Sequence, residues 1–580
     1  MSEGRTLMYT TTRSDWQTYA RSGISHLISI SGLHITMVAG LCATLAQLLW
    51  RRSCYTTAQL PLCCPAQKVG ALAGALAALC YVLLAGWGVP AQRTLYMLLV
   101  VALARWCGRL ASASHILACA LLVVVVLDPW AVLWPGFWLS FGAVALLLYG
   151  GSGTVGQRCD DTTAGVAGWS KLVARLRPVI GAAMHSQYVI TLGLLPLSVL
   201  LFAQVSLLSP LANALAIPLI SLVVTPLALL GSVCPQPVCS ALLLVAHTVV
   251  AALSRGLDGA AALPVAVWHA PVAPSWLVAW GVLGTAWLLA PRGWPMRWLG
   301  LASWIPLLAA QPASPRPGHL QLIAFDVGQG MAVLIETAQH RLLYDTGGVF
   351  SGSSNAGERI ILPYLQARAI GRLDSLVLSH GDYDHIGGAA AIVRGLEVAE
   401  LRSSLPEQHV LRRMLRPDFS CAAGQNWRWD GVLFEILHPP AAAAGRADAR
   451  PNARSCVLKI SVGASAILLT GDIEAAQERA LVQQYGVRLQ AQVLLVPHHG
   501  SGTSSTEQFL QMVQPELAIF QVGYRNRYHH PKPEIFARYL ARGIGCFRTD
   551  DAGAVTVYFD GQHIHTSSYR RRHARYWHTS

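Results

Sequence analysis

The sequence predicts a polytopic α-helical membrane domain followed by an α/β soluble domain, and three observations carry that reading. Of 580 residues, 53% are hydrophobic and only 12% charged, a balance outside the range of soluble globular chains. The charges divide unevenly: residues 1–318 carry 17 Lys and Arg against 6 Asp and Glu, and 319–580 carry 26 against 23. From residue 319 the long apolar runs give way to short strands that end on histidine or aspartate, the pattern of a scaffold that gathers remote side chains at one place.

Residues 1–25 are a lead-in segment with no apolar core and no small-residue cleavage site, so they are not a secretory signal. A membrane span needs about 20 apolar residues. The region 26–310 offers about ten candidates, near 27–50, 69–88, 91–104, 114–131, 135–150, 179–203, 209–231, 238–254, 275–290 and 298–310. If they alternate, one side holds Arg51, Arg52, Lys68, Arg105, Arg109, Arg158, Lys171, Arg175, Arg177, Arg292 and Arg297, and the other little beyond Arg255. The basic side is then cytoplasmic, and the soluble domain lies on the opposite, periplasmic side. The net charge of +14 is mostly this loop bias and says little about nucleic acid. Inside the spans, His26, His34, Arg93 and Asn213, with His185 and Gln187, are polar where lipid penalises them, which favours a polar path through a bundle. The prolines of "GVPAQ" and "LAIPLISLVVTPLALLG" suggest broken helices around a cavity.

Of the 13 cysteines, Cys42, Cys80, Cys107 and Cys119 sit in apolar runs as small buried thiols. No disulfide framework or zinc-ribbon pair is expected. "QPASPRPG", 311–318, is a stiff proline-rich linker. Residues 319–565 make the soluble domain, and 566–580, with "YRRRHARYWHTS", a basic tail. "LQLIAFDVGQGMAVLIET" and "HRLLYDTGG" read as strands with Asp326 and Asp345 at their ends. "LDSLVLSH" delivers His380, "SAILLTGD" Asp472, and "QVLLVPHHGS" His498 and His499. Helical stretches between them allow two sheets between helices or one parallel sheet, and periodicity does not choose.

In "SHGDYDHIGG", His380, Asp382, Asp384 and His385 stand on a loop entering a helix, and Gly387 and Gly388 let the chain pass closely. With Asp472, His498 and His499 they form a candidate metal site, since imidazoles mixed with carboxylates suit Zn²⁺ or Mn²⁺.

These motifs, with "YDTGG", "LLTGDIE" and "VPHHGS", resemble the metallo-β-lactamase fold, whose general motif is His-x-His-x-Asp-His. With "HLISISGLHI", "GFWLSFGAVALL", "LSPLANALAIP", "FDVGQGMAVLI", "NRYHHP" and "RTDDAGAV", the whole chain resembles the ComEC family of competence DNA-uptake channels. The resemblance implies an αββα sandwich for the soluble domain. It implies an inner-membrane channel for single-stranded DNA in natural transformation, with a hydrolase domain degrading the strand that is not imported. Family members commonly begin with further membrane segments and an OB-like module, whereas this sequence starts just before "SHLISISGLH".

Asp382 replaces the motif's second histidine, and the fold's next usual histidine has only Asn452 and Ser455 near it, with His438 as a weak substitute. This harder donor set moves the expectation toward Mn²⁺ or Mg²⁺, or toward a single well-held ion, compared with the usual zinc pair, with Mn²⁺ or Zn²⁺ the leading candidates and Mg²⁺ an alternative. Asp472 is placed to bridge ions, Asp384 to orient water or take its proton, and His530 to contact the phosphate or protonate the leaving oxygen. Arg525 and Arg527 would hold flanking phosphates. No GxxxxGK[ST] motif occurs in the sequence, so the expected partners are a DNA receptor outside and an ATP-driven translocase in the cytoplasm. Two other readings stand beside this one: a channel whose hydrolase-like domain only guides DNA, and a membrane-anchored hydrolase of small phosphodiesters.

Overall fold

The computed structural model describes residues 13–28, 32–53, 59–108, 112–152, 169–291, 293–310, 314–352, 354–443 and 450–575. The start of the lead-in, "SIS" at 29–31, Arg109, Arg158, Arg292, 311–313 of the linker and the last five residues of the tail lie outside them. The chain forms two compact units, Met1–Ala310 and Gln311–Ser580.

Among the described residues of the first unit, five helices are long and apolar enough to cross a membrane: Gly32–Arg52, Ala66–Leu84, Arg177–Phe202, Ser209–Val233 and Val238–Ala261. Shorter apolar helices cover Ala113–Leu127, Pro135–Gly151 and Ser275–Leu288, and Val89–Trp106 carries Arg93 in its first turns. Small residues let the first two helices approach closely: a Cβ on Gly74 would lie 3.1 Å from the Ala39 carbonyl oxygen. The expected span at 298–310 contains the short apolar helix Leu299–Leu308, made of two turns, Leu299–Ala302 and Ile305–Leu308. Pro306 has no N–H to continue the ladder from Ala302.

The expected break in "LAIPLISLVVTPLALLG" takes a different form. The rod stays continuous, but Leu219–Val224 is π-helical between Ser209–Pro218 and Thr225–Val233, where Pro218 and Pro226 perturb the i→i−4 ladder. Across the unit, His34 Nε2 lies 3.3 Å from Ser221 Oγ, both buried. Arg93 and Asn213 are also buried, and Asn213 donates to Ser209 Oγ at 2.9 Å. His26, by contrast, is exposed.

The second unit is an αββα sandwich. One sheet has eight strands, in spatial order Asp418–Ser420, Leu401–Ser403, Ser375–Leu378, Arg341–Tyr344, Val333–Glu336, Leu320–Ala324, Val555–Phe559 and Ile564–Ser568. The other has seven, Asn426–Trp429, Val432–His438, Val457–Val462, Ser465–Leu469, Val493–Leu495, Leu517–Phe520 and Gly545–Arg548. Strand alternation sorts the core into layers. Leu322, Val333, Tyr344, Leu458 and Ile519 pack between the sheets. Ile323 and Leu376 face Ile361 and Leu365 on one outer side, and Leu494 and Phe520 face Leu481 and Phe509 on the other.

Contrary to the expectation from cysteine spacing, Cys421 and Cys456 form a disulfide. It joins the end of an edge strand of the first sheet to the start of Val457–Val462 in the second, and both residues are fully buried. Cysteines 35 positions apart in sequence meet here only because the two sheets face each other.

Candidate metal centre

Four strand ends converge between the sheets. Arg341–Tyr344 runs into Asp345, which turns into the left-handed region at φ 57°. Ser375–Leu378 delivers Ser379 and His380, Ser465–Leu469 leads to Asp472, and Val493–Leu495 leads to His498 and His499, both left-handed. Asp382 precedes the short helix Tyr383–Ile386, which presents Asp384 and His385. The following turn passes through a space with no room for side chains, as the sequence suggested: a Cβ on Gly388 would fall 2.4 Å from Thr346 O.

Asp384, His385, Asp472 and His499 offer ligand atoms that all lie within 4.8 Å of one another. His385 Nε2 is 3.2 Å from Asp472 Oδ1, and His499 Nε2 is 3.4 Å from Asp384 Oδ2 and 3.6 Å from Asp472 Oδ2. The Nε2 atoms of His380, His385 and His499 and Asp472 Oδ1 are buried without a hydrogen-bond partner. An unsatisfied buried polar atom costs about 1–3 kcal/mol, so four aimed at one space fit a divalent cation.

The outer nitrogens are held by a second layer of contacts. His385 Nδ1 donates to Asp345 Oδ2 at 2.8 Å, and His499 Nδ1 to the Gln521 carbonyl at 2.8 Å. Asp345 also accepts from Ser379 N at 2.7 Å and Ser379 Oγ at 2.6 Å, and that hydroxyl lies 3.0 Å from His380 Nδ1. One buried carboxylate thus fixes two imidazoles with Nε2 turned inward. The sequence showed Asp345 only as a strand end; its place in "YDTGG", one strand before the histidine cluster, was the available signal.

Burial opposes charge on His385 and His499, but the carboxylates of Asp472 and Asp384, with Asp345 beside His385, outweigh it and hold both imidazoles above their ordinary pKa. Burial likewise opposes charge on Asp472 and Asp384, and the same imidazoles outweigh it, holding both carboxyls below the usual range.

The other expected ligands stand around this group. His380, fully buried, has its Nε2 3.5 Å from Asp382 Oδ2, and the Asp382 side chain is 45% exposed, so the aspartate flanks the four on the open side. His498 lies to the side, 3.9 Å from Asp472, with Nδ1 3.1 Å from Thr503 Oγ1 and 3.6 Å from Glu474. Ser455 takes the place considered for the missing histidine: its Oγ accepts from Asp472 N at 3.1 Å and is 3.5 Å from His380 Nδ1. His438 is drawn away, its Nδ1 2.9 Å from Ser455 O, and Asn452 is 3.4 Å from Glu474. His530 sits above the site with its ring 6.0 Å from His498 and 6.5 Å from His499. Burial and then the neighbouring histidines push it down to about 4. Arg525 and Arg527 are exposed and lie over Tyr524 and Tyr528.

Fold and site together define a membrane protein whose second unit has a metallo-β-lactamase-type fold with a cluster of side chains able to hold a metal ion. The sequence profile described as "Competence protein" matches residues 9–295 and that of the "Metallo-beta-lactamase superfamily" matches 325–523. The chain is 39% identical to Competence protein ComA of Neisseria gonorrhoeae over 554 residues, 93% of this chain and 71% of that protein. It is 27% identical to ComE operon protein 3 of Bacillus subtilis, over 93% of this chain and 68% of the other. Among solved structures, CmlA, a diiron beta-hydroxylase from Streptomyces venezuelae, shares 14% identity at a TM-score of 0.28, covering 41% of this chain and 53% of that one. The chain belongs to the ComEC family of competence proteins.

Proposed function

We propose that this protein carries single-stranded DNA across the bacterial inner membrane during natural transformation, and that its soluble unit is a metal-dependent phosphodiesterase that degrades the other strand. The observation that carries the enzymatic half is the set of buried, unpartnered Nε2 and Oδ1 atoms around Asp384, His385, Asp472 and His499. The mixed carboxylate and imidazole donors favour Mn²⁺ or Zn²⁺, with Mg²⁺ tolerated. A divalent cation held there supplies Lewis acidity, lowering the pKa of water and neutralising phosphoryl charge.

The chain's own residues do the rest. Asp384, the most accessible of the four, orients the attacking water and accepts its proton. Asp472 stands between the imidazoles of His385 and His499. His530 contacts the scissile phosphate, and Arg525 and Arg527 hold its neighbours. We place the soluble unit in the periplasm because a buried disulfide persists in an oxidising compartment. A DNA receptor outside and an ATP-driven translocase inside complete the path, with His34, Arg93 and Asn213 along the channel.

One observation favours a second reading, in which the soluble unit only guides DNA: a serine, Ser455, stands where the fold's histidine is expected. DNA uptake in a strain lacking the gene separates the two. Restored transformation with labelled fragments released outside, and release lost in Asp472→Ala, supports the enzymatic reading. Full release by Asp472→Ala refutes it.

A further inference from the structure

The segment Tyr524-Arg525-Asn526-Arg527-Tyr528 between Val522 and His530 has an unusual surface. Tyr524 is 70% exposed and Tyr528 45%, although both are large aromatic residues beside a buried site. Each carries the neighbouring guanidinium over its ring, Arg525 at 5.2 Å from Tyr524 and Arg527 at 4.7 Å from Tyr528. Asn526 fixes the turn: its side chain donates to Gly523 O at 3.0 Å and His530 O at 2.7 Å and accepts from His530 N at 2.9 Å. The segment is also seated against the metal-site loop, since Gly523 N donates to Gln329 Oε1 at 3.4 Å and Met331 N to Asp384 O at 3.1 Å.

The rings point a direction. Tyr528 lies on His530 at 5.7 Å with 22° between planes, and His530 lies on His499 at 6.5 Å with 19°. Three near-parallel rings therefore run from the surface to a metal ligand. Tyr383, in sequence between Asp382 and Asp384, is a further ring with 80% exposure. Exposed aromatic faces interleaved with arginines match a polymer that alternates flat bases with phosphates. Such stacking is worth about 1–3 kcal/mol per base and tolerates any sequence. A duplex keeps its base faces stacked on one another, so it does not offer them.

We propose that this rim is a stacking platform for an unpaired polynucleotide strand: bases lie on Tyr524 and Tyr528, Arg525 and Arg527 hold the flanking phosphates, and the strand is fed to the metal centre irrespective of base sequence. This rests on the phosphodiesterase reading of the same site and names its substrate as single-stranded.

The test is binding by the full chain in detergent micelles, with EDTA present so that nothing is cut. The probes are a labelled 12-nucleotide strand, the same strand with abasic sites, the matching duplex, and a strand carrying 2-aminopurine, whose fluorescence is quenched by stacking on tyrosine. Tyr524→Ala and Tyr528→Ala are each expected to weaken the base-bearing strand about five- to a hundredfold and to relieve the quench. Tyr→Phe at both positions retains binding, and the abasic strand and duplex are indifferent to all four changes. Arg525→Ala and Arg527→Ala weaken both single strands and lower the salt slope by about 0.7 each. Equal loss on base-bearing and abasic strands, no loss on either, or no binding by the wild type overturns the platform. Failure of the wild type to cut any strand in a parallel Mn²⁺ assay overturns the phosphodiesterase reading alone, because tyrosine-dependent binding is read without turnover.

Discussion

Replacing Asp345 by Asn tests whether one buried carboxylate arms the centre. Asp345 never reaches the ligand cluster, yet it accepts from His385 Nδ1, Ser379 N and Ser379 Oγ at 2.6–2.8 Å. An amide of the same size offers one acceptor oxygen and an NH₂ group. Facing His385, that NH₂ meets an N–H, which drives the ring to the tautomer with its proton on Nε2, the atom needed for the cation. From that same position, in place of Oδ2, it also meets the Ser379 hydroxyl and breaks the relay to His380; in place of Oδ1 it meets the backbone N–H of Ser379 instead. Loss of such a charge-assisted contact costs about 1.5–3 kcal/mol, and outer contacts of this type are worth about 10–100-fold in metal affinity. Mn²⁺ titration followed by EPR on the full chain is expected to show a 10–100-fold weaker site in Asp345→Asn. Unchanged affinity would show that His385 is not oriented by this carboxylate.

Other perturbations give equally direct readings. In the metal-free chain, the raised His385 and His499 and the lowered Asp472 and Asp384 form ion pairs. Their stabilisation is complete between the ordinary carboxylate and imidazole values, about 4 and 6.5. It fades as pH falls through the lowered carboxyl values or rises through the raised imidazole values. Metal binding must therefore expel protons, so affinity is expected to rise with pH, with proton release visible by calorimetry in buffers of different ionisation enthalpy; affinity flat from pH 6 to 8 contradicts this. Removing the disulfide by Cys421→Ser with Cys456→Ser opens a loop of 35 residues and is expected to cost about 3–4 kcal/mol, read as a lower melting temperature. Alkylation of the denatured, unreduced wild type should leave these two cysteines unlabelled. Gly388→Ala puts a Cβ 2.4 Å from Thr346 O and 2.6 Å from Gly357 N, an overpacking cost of about 1–3 kcal/mol, with loss of the metal site measured alongside.

Much of the candidate centre was legible because its residues end strands: "LLTGD" and "LLVPHHG" announce Asp472 and the histidine pair without tertiary information. Which histidine faces the cluster was not legible, since both follow the same strand. Left-handed backbone at His498 and His499 turns the second inward and sends the first toward Thr503. The role of Asp345 depends on a contact between neighbouring parallel strands, and the disulfide on two sheets facing each other, and neither leaves a local pattern. The choice between a sandwich and a single parallel sheet turned on long-range pairing such as Leu320–Ala324 with Val555–Phe559, over two hundred residues apart in the chain. In the membrane unit hydropathy located the apolar segments, but it could not see that Pro306 divides the last of them into two turns.

Nuclease activity should depend on a divalent cation held by Asp384, His385, Asp472 and His499. The direct measurement is cleavage of labelled single- and double-stranded DNA by the purified full chain with Mn²⁺, Zn²⁺ or Mg²⁺, against Asp384→Ala and His385→Ala, with metal content determined in parallel. The expected result is metal-dependent cutting by the wild type and loss of at least a hundredfold, about 2.7 kcal/mol, in both variants. Bound metal without cutting, or equal cutting by wild type and variants, would contradict it.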